Sequence, residues 1–170
     1  MIGEEIFDVV DLSDQVIGTE TRSAVHRKKL LHRSVHILVF NGAGEVFLQK
    51  RSQSKDSHPG RWDSSTSGHV DRGEDYDAAA VREVFEEIGL QLETAPERMF
   101  KIAACAETDQ EFVWVYRTRS EGPFELHPEE IEGGDWFGAQ EISTWIHSRS
   151  EELAPAFVHL WQIAKEKDFL

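Results

Sequence analysis

Residues 68–90 read GHVDRGEDYDAAAVREVFEEIGL, and this stretch decides both the fold and the chemistry expected of the chain. At about 100° per residue, four apolar side chains are predicted to form one stripe of a helix: Val81, Val84, Phe85 and Ile88. Three carboxylates are predicted to lie roughly opposite: Glu83, Glu86 and Glu87. Like charges at these spacings repel one another, so a divalent cation would offset the repulsion, although a merely solvated acidic face has the same pattern.

The ends of this helix and the loop before it carry their own signals. We expect the helix to begin after Asp75, whose side chain can cap it, and to end at Gly89. Gly68 and Gly73 would let the preceding loop turn tightly and bring its backbone close to a metal or a phosphate. The stretch is therefore predicted to be a loop followed by a helix, with the loop backbone placed to approach a metal or a phosphate.

Nine positions of the stretch fit the motif G-x5-E-x7-R-E-U-x-E-E-x-G-U, where U is apolar. They are Gly68, Glu74, Arg82, Glu83, Val84, Glu86, Glu87, Gly89 and Leu90. The segment resembles the Nudix box without a mismatch. The resemblance implies a Nudix-type α/β/α sandwich with a mixed β-sheet between helices. It also implies a hydrolase that cleaves a diphosphate bond with Mg²⁺, for which Mn²⁺ is a possible substitute.

The resemblance also assigns a role to each charged residue of the box. The groups expected to bind the metal are Glu83, Glu86, Glu87 and the backbone of Gly68. Glu83 and Glu87, one helical turn apart, would be the principal Mg²⁺ ligands, while Glu86 would join a second ion or orient water. Arg82 would clamp Glu74 across the loop and hold the start of the helix in place.

Length and composition bound the remaining possibilities. A chain of 170 residues suits one domain, here a single Nudix domain over residues 1–170. The formal net charge of −14 argues against nucleic acid or an anionic membrane as a partner and favours a small diphosphate substrate met by local basic residues. With Cys105 as the single cysteine, no intrachain disulfide is expected. The acidic start MIGEEIFDVV does not resemble a signal peptide, so a cytoplasmic location is predicted.

The order of predicted elements is that of a mixed α/β protein. A short N-terminal hairpin is expected within residues 1–33, and its last eight residues, HRKKLLHR, form a basic patch that is either a solvated loop or helix or a substrate-facing surface. A central hairpin is expected from strands 34–40 and 45–50, followed by a loop over 51–61 and a short strand within 62–67. After the box we predict strands at 99–107, 111–119 and through 136–137, and helices at 139–147 and about 152–167.

One further acid outside the box is expected as a metal ligand or general base, as in many members of the family. Glu111, at the head of the strand EFVWVY, is the candidate, and Asp109 two residues earlier could face the same way. Three competitors are more typical of a surface run: Glu129, Glu130 and Glu132. Three aromatic residues are predicted either to stack a base or to belong to the core: Trp114, Tyr116 and Trp136.

A second pattern, from Gln49 to His69, resembles the Nudix branch that contains type I isopentenyl-diphosphate isomerase, and the likeness extends over about residues 7–142. It implies that Arg51 and Lys55 grip the diphosphate. It also implies a metal site at His32 and His69, while His26 stands one position away from the expected place. His36, on a strand, is expected to be packed in the core instead.

Three departures argue against isomerase activity. Ser67 stands where the isomerase has a cysteine that handles a carbon-bound proton, and Asp109 is one methylene shorter than the first acid of its metal pair. The complete REUxEE pattern is one that the isomerase has largely lost. We therefore favour a hydrolase of a nucleoside diphosphate linked to another group, or of a related small diphosphate. The alternatives are an isomerase and a non-catalytic diphosphate-binding module, and nothing in the sequence favours one oligomeric state.

Overall fold

The computed structural model describes residues 3–170, so the first two residues of the predicted segment 1–33 lie outside the described part. A two-stranded antiparallel sheet comes first, formed by β1 (Ile6–Val10) and β2 (Val16–Thr21). A mixed seven-stranded sheet follows. Its strands are β3 (His32–Phe40), β4 (Val46–Arg51), β5 (Trp62–Asp63), β6 (Thr66–His69), β7 (Glu97–Ile102), β8 (Glu111–Arg119) and β9 (Ile131–Phe137).

Helices cover both faces of the large sheet. They are α1 (Arg22–Lys28), α2 (Tyr76–Ile88), α3 (Ala139–Arg149) and α4 (Pro155–Glu166), with a 3-10 turn at Ser150–Glu152. Ala80, Val84 and Ile88 of α2 belong to the buried cluster on one face of the sheet, whereas Phe157 and Trp161 of α4 belong to the cluster on the other. This arrangement confirms the predicted α/β/α sandwich. No helix within residues 3–170 is long and apolar enough to span a membrane.

The predicted central hairpin of β3 and β4 is present but short. These strands pair only at Val39↔Phe47 and Phe40↔Val46. Elsewhere β3 runs parallel to β8 and antiparallel to β6, while β4 turns away to pair with β5 and β9. The opening between β3 and β4 admits β6, which carries the start of the box into the middle of the sheet.

The predicted buried stripe of α2 is confirmed at Val84 and Ile88 but is wrong at Val81 and Phe85. Phe85 is 58% exposed and Val81 only half-buried, whereas Glu83 and Glu87 are buried. The buried face is therefore rotated by roughly one residue step, about 100°, toward the acids. The reason is that α2 packs against β6 and β3 through the same face that presents these two carboxylates to the box loop.

Other boundaries differ by a few residues. The strand expected at 99–107 is β7 at Glu97–Ile102, because residues 103–110 form an irregular loop before β8. The last helix begins at Pro155 rather than near residue 152, since proline suits the first turn of a helix and residues 150–152 form the 3-10 turn. Residues 62–67 form two short strands, β5 and the first part of β6, rather than one.

Candidate active site and metal centre

The box loop and α2 are fixed to each other by caps and by one arginine. Asp75 Oδ1 accepts a hydrogen bond from Ala78 N at 2.8 Å, and Gly89 ends the helix with φ 68°, a conformation that favours glycine. The guanidinium of Arg82 donates to both carboxylate oxygens of Glu74 at 2.9 Å and to the His69 carbonyl at 2.9 Å. This two-pronged contact holds the loop against the helix.

The three box glutamates differ in environment. Glu83 and Glu87 are 9% and 6% exposed, whereas the side chain of Glu86 is 55% exposed. Glu83 accepts a hydrogen bond from Arg82 at 2.6 Å, and Glu86 accepts one from the same arginine at 3.1 Å. Glu87 Oε2 accepts from Gln49 Nε2 at 2.8 Å and from Ser67 N at 3.1 Å. Glu83 and Glu87 thus lie inside the fold, and Glu86 lies at its surface.

Nearby positive charge does not offset the burial of Glu83 and Glu87. Burial raises the pKa of Glu83 to about 7. Burial, with the charge of Glu83 adding to it, raises the pKa of Glu87 well above its ordinary value. Two adjacent buried carboxyl groups of this kind fit a divalent cation with hard oxygen ligands, because the cation would supply the missing charge.

Gly68 lies directly against this pair. A Cβ atom at position 68 would lie 2.1 Å from the Glu83 carboxyl carbon, so only glycine leaves room for the carboxylate beside the backbone. We expect Gly68→Ala to displace the Glu83 carboxylate and lower turnover at least tenfold. The melting temperature should change by only a few degrees, since the displaced group is the end of a flexible side chain. Steady-state kinetics and calorimetry on the same preparation measure both effects.

Gly133→Ala is the matched control, because no atom lies within 4 Å of a Cβ atom built at that position. Equal turnover in the two alanine variants would contradict the role of Gly68 in seating Glu83.

The raised pKa values give a pH-dependent effect of Mg²⁺. Because Glu83 and Glu87 have higher pKa values in the folded protein than in the unfolded chain, the folded state holds protons that the unfolded state has released. Their contribution to stability therefore falls as the pH rises from about 5 to about 8. Mg²⁺ binds the ionised pair, so we expect it to raise the melting temperature more at pH 8 than at pH 6.

Scanning calorimetry with and without Mg²⁺ at the two pH values measures this difference. A double variant, Glu83→Gln with Glu87→Gln, should lose the pH-dependent part of the shift. The same Mg²⁺ effect at both pH values in the unmodified protein would count against proton–metal competition at this pair.

A second cluster of candidate ligands lies at the C-terminal end of β6, next to Gly68. His32 begins β3, His69 ends β6 and Glu111 begins β8, and strand pairing brings all three together. His26 joins them from α1, and Nε2 atoms of His26, His32 and His69 are buried without a hydrogen-bond partner. One ligand atom from each of the three histidines lies within 4.8 Å of the other two. Three buried imidazole nitrogens facing one another have the arrangement of a metal site.

Hydrogen bonds fix which nitrogen of two rings is free. His32 Nδ1 lies 2.8 Å from the Leu30 carbonyl, which can only accept, so Nδ1 carries the proton. His26 Nδ1 lies 3.0 Å from Asp109 Oδ2 and donates to it. In the neutral rings the lone pairs of both Nε2 atoms consequently point into the cluster.

Glu111 lies beside these lone pairs. Its Oε1 is 3.3 Å from His32 Nε2 and 3.0 Å from His69 Nε2. Burial would raise the pKa of Glu111, but the charge of His69 and the proximity of His32 outweigh it and hold that pKa well below its ordinary value. Burial also lowers the pKa of His26, which keeps this ring neutral. A carboxylate beside three imidazole nitrogens is a suitable ligand set for a transition metal.

The N-terminal hairpin closes this cluster. The ring of Phe7 stacks on His69, with centroids 4.5 Å apart, and lies parallel to His32 at 6.0 Å. The neighbouring Asp8 accepts a hydrogen bond from Gly73 N of the box loop at 2.9 Å. β1 therefore contacts both the box loop and the histidines.

The two residues expected to grip a diphosphate have protein partners. Arg51 donates to Asp63 at 3.2 Å and to the Ser57 carbonyl at 3.0 Å, and its side chain is 12% exposed. Lys55 forms an ion pair with Glu130, which is half-buried rather than part of an open surface run. The charge of Glu130 also acts on Glu87, so the Lys55–Glu130 pair lies close to the box.

The remaining predicted residues lie in varied environments. Tyr116 is fully buried and donates to Asp77 at 2.7 Å, so it belongs to the core and cannot stack a base. Trp136 is half-buried beside Phe47 and Phe124 in a pocket of about 250 Å³ that contains no basic residue. Trp114 is covered by the guanidinium of Arg98 at 4.7 Å. Glu129 and Glu132 are exposed, as predicted, and His36 is buried with Nδ1 at 2.8 Å from Ser64 Oγ.

Sequence reasoning missed several of these neighbours. Gln49 had been noted only as part of a pattern, and Phe7 and Asp8 carried no signal of a role. His26 was set aside because of its position in the pattern, yet the short helix α1 brings its ring to the cluster. A local motif cannot reveal such contacts, because they join residues that are far apart in the sequence. His26 and His69, for example, are more than 40 positions apart.

Comparison with known proteins agrees with the sandwich and the box. A model of the NUDIX domain matches residues 30–157. An uncharacterised Nudix hydrolase of Yersinia pestis is 35% identical over 156 residues, covering 89% of this chain and 80% of that protein. An isopentenyl-diphosphate Delta-isomerase of Serratia proteamaculans is 33% identical over 143 residues, covering 82% and 80%. A crystal structure of a Deinococcus radiodurans protein superposes with a TM-score of 0.83 at 26% identity, covering 93% and 98%.

The fold and the box together define an α/β enzyme that hydrolyses phosphorus-containing anhydrides. The chain belongs to the Nudix family. Its relatives include both Nudix hydrolases and isopentenyl-diphosphate isomerases, as expected for the branch indicated by the sequence.

Proposed function

We propose that this chain is a Mg²⁺-dependent hydrolase that cleaves the diphosphate bond of a nucleoside diphosphate linked to another group, or of a related small diphosphate. The observation that carries the proposal is the buried pair Glu83 and Glu87. Glu83 lies against Gly68 and is held by Arg82, whereas Glu87 is held by Gln49 and the backbone of Ser67. Bound Mg²⁺ would neutralise the diphosphate oxygens and lower the pKa of a bound water, and Mn²⁺ is a possible substitute.

The chain's own residues have distinct tasks in this proposal. Glu83, Glu87 and the backbone of Gly68 hold the metal, and Arg82 keeps the loop and helix in register through Glu74. Glu86, exposed at the rim, is placed to bind a second ion or to accept the proton of the attacking water.

Lys55 and Arg51 supply positive charge to the substrate in an otherwise acidic protein. A diphosphate entering the site would compete with Glu130 for the ammonium group of Lys55. Arg51 is held by Asp63 and by the backbone of its own loop, which fixes its orientation before substrate arrives. The substrate is therefore expected to be a small diphosphate rather than a nucleic acid.

The histidine cluster with Glu111 is proposed as a second metal site of different chemistry. Glu111 is its carboxylate ligand, and His26, His32 and His69 are its nitrogen ligands. Imidazole nitrogens suit Zn²⁺ and similar ions, whereas the all-oxygen box suits Mg²⁺.

The test is incubation of the protein with Mg²⁺ and a mixed library of nucleotides, nucleotide sugars, dinucleotides and prenyl diphosphates, with product masses measured. We expect one class of compound to be cleaved at its diphosphate bond, with loss of the reaction in EDTA. The masses identify both the substrate and the bond. The absence of any metal-dependent hydrolysis product across the library would contradict the proposal and leave a non-catalytic binding module.

An isomerase is the second candidate, because the histidine cluster and Glu111 occur together here as the resemblance implies. Against it stands Ser67, a poor proton donor or acceptor without help, in the place of the cysteine. Deuterium uptake from solvent into isopentenyl diphosphate would support isomerisation. We expect no uptake.

A further inference from the structure

Asp109 occupies an unusual backbone position next to the histidine cluster. Asp109 and Gln110 both have positive φ values, 53° and 67°, which side-chain-bearing residues adopt rarely and at a cost in energy. The backbone is held there by hydrogen bonds from Asp109 N to Ala106 O at 3.2 Å and from Gln110 N to Cys105 O at 2.8 Å. This tight turn presents the Asp109 side chain to α1.

The contact that the turn produces is a single hydrogen bond to His26. Asp109 Oδ2 lies 3.0 Å from His26 Nδ1, and the other ring nitrogen, Nε2, is buried without a partner among the histidines. The two nitrogens of an imidazole point away from each other, so the carboxylate lies on the far side of the ring from the cluster. The His26 side chain is 28% exposed and lies near the end of a seven-residue helix. Its other ring contacts are edge-on to His32 and His69, with centroids 5.1 and 5.2 Å apart, so Asp109 supplies the hydrogen bond that orients the ring.

We propose that Asp109 is a positioning residue: it holds His26 as the third nitrogen ligand of a transition-metal ion such as Zn²⁺ without touching the metal itself. The inference rests on the metal site assigned to the histidine cluster under the proposed function. An ionised carboxylate on Nδ1 fixes the tautomer and makes Nε2 a stronger ligand.

Asp109 and Glu111, two positions apart in the sequence, thereby take different roles. Glu111 lies on the ligand side, with Oε1 at 3.3 and 3.0 Å from the Nε2 atoms of His32 and His69. Asp109 lies on the outer side of His26. The result is a set of three nitrogens and one carboxylate, which matches the four ligands that Zn²⁺ prefers rather than the six oxygens of Mg²⁺.

The test uses the full chain stripped of metal and titrated with Co²⁺, a visible probe for sites that take Zn²⁺. Excess Mg²⁺ is present so that the glutamates of the box are already occupied. The main variant is Asp109→Gly, because glycine adopts the positive φ of this position without strain and removes only the side chain. Asp109→Asn keeps the shape and removes the charge. Glu107→Gln, an exposed acid in the same loop, controls for the change in net charge.

We expect Asp109→Gly to weaken Co²⁺ binding roughly ten- to a hundredfold and to change the visible spectrum, with a smaller loss in Asp109→Asn and none in Glu107→Gln. In a His26→Ala background, Asp109→Gly should change the affinity less than about twofold, because the residue through which Asp109 acts is gone. These two results together distinguish a positioning role from a general effect on folding.

Two results would overturn the inference. Wild-type affinity in Asp109→Gly would show that His26 needs no partner, and a full loss that persists in the His26→Ala background would make Asp109 a ligand or a structural residue. If the unmodified protein binds no Co²⁺ in excess Mg²⁺, the histidine metal site itself is wrong. Diphosphate hydrolysis and its dependence on the box glutamates are measured separately, so the proposed hydrolase activity could hold even if the histidine site binds no metal.

Discussion

Replacing Glu87 by glutamine is expected to lower the turnover of diphosphate substrate by about a thousandfold or more. The amide oxygen of glutamine can still accept the hydrogen bonds from Gln49 and Ser67, so the local structure is preserved. What is lost is the negative charge that would hold the metal. A bound cation supplies several kcal/mol of transition-state stabilisation, and each 1.4 kcal/mol is worth a factor of ten in rate.

The measurement is steady-state kinetics with the substrate found in the library, at saturating Mg²⁺, alongside circular dichroism and thermal unfolding. Without metal, Glu87→Gln should be at least as stable as the unmodified protein at pH 8, because a buried carboxyl group with a raised pKa no longer has to ionise. Glu166→Gln, an exposed acid on α4, is the control and should have normal turnover. Normal turnover in Glu87→Gln would remove the box from the mechanism.

The features that could be predicted from sequence are those fixed by local chemistry. Asp75 caps α2 and Gly89 ends it, as expected, because a side-chain acceptor and a residue with positive φ are needed at those two places whatever surrounds them. Arg82 reaches Glu74 because Glu74 immediately precedes the cap of α2 and Arg82 lies about two turns further along the same helix. The buried face of α4, from Phe157 to Ala164, also follows directly from helical spacing.

The features that could not be predicted depend on what the elements pack against. Helical spacing favoured Phe85 for the core of α2, but the helix lies on β6 with Glu83 and Glu87 inward, so Phe85 faces solvent. The assumption that charge lies outside fails at a site where acids are placed to hold a cation. Beyond its short hairpin with β4, β3 pairs in parallel with β8, as in His32 with Glu111, 79 positions further along the chain.

The histidine cluster is a further feature that could not be predicted from local sequence, because part of it comes from a distant segment of the chain. His26 comes from α1, which lies outside the part of the chain that matches the NUDIX domain model, residues 30–157. β1 belongs to the same outer segment and contributes Phe7 on His69 and Asp8 on Gly73. The segment before residue 30 is thus an integral part of both candidate metal sites, and its attachment to the sheet matters for function.

That attachment depends most on Asp14, at the turn between β1 and β2. Asp14 is 6% exposed and accepts from Arg33 Nε at 2.6 Å and from Tyr76 Oη at 2.7 Å, and it also pairs with Lys101. Asp14→Asn keeps the shape and tolerates the φ of 58°, but leaves both cations without their counter-charge. We expect a loss of about 3 kcal/mol in the free energy of unfolding, or roughly 10 °C in melting temperature, measured by denaturant and thermal unfolding at pH 7.

The pH dependence identifies the cause. Burial would raise the pKa of Asp14, but Lys101, Arg33 and Tyr76 outweigh it and lower that pKa. Its stabilisation is therefore complete above the pKa of the unfolded chain, near 3.8, and is lost as the pH falls through the lower folded value. The difference between the unmodified protein and Asp14→Asn should be the same at pH 7 and pH 5.5 and should shrink below about pH 4.

Glu20→Gln is the matched control, because it removes a partly exposed carboxylate of the same hairpin that pairs with Lys28, and it should change the stability far less than Asp14→Asn does. Hydrogen exchange separates the two effects further. Backbone amides of β1 and β2 should exchange faster in Asp14→Asn and not in Glu20→Gln, since the hairpin would open before the sheet does. If the two variants have equal stability and equal exchange, then Asp14 contributes no more than a surface ion pair does. The hairpin would then be held over the histidines by its other contacts, among them the stacking of Phe7, the bond from Gly73 N to Asp8 and the backbone bond from Arg72 N to Ile6 O.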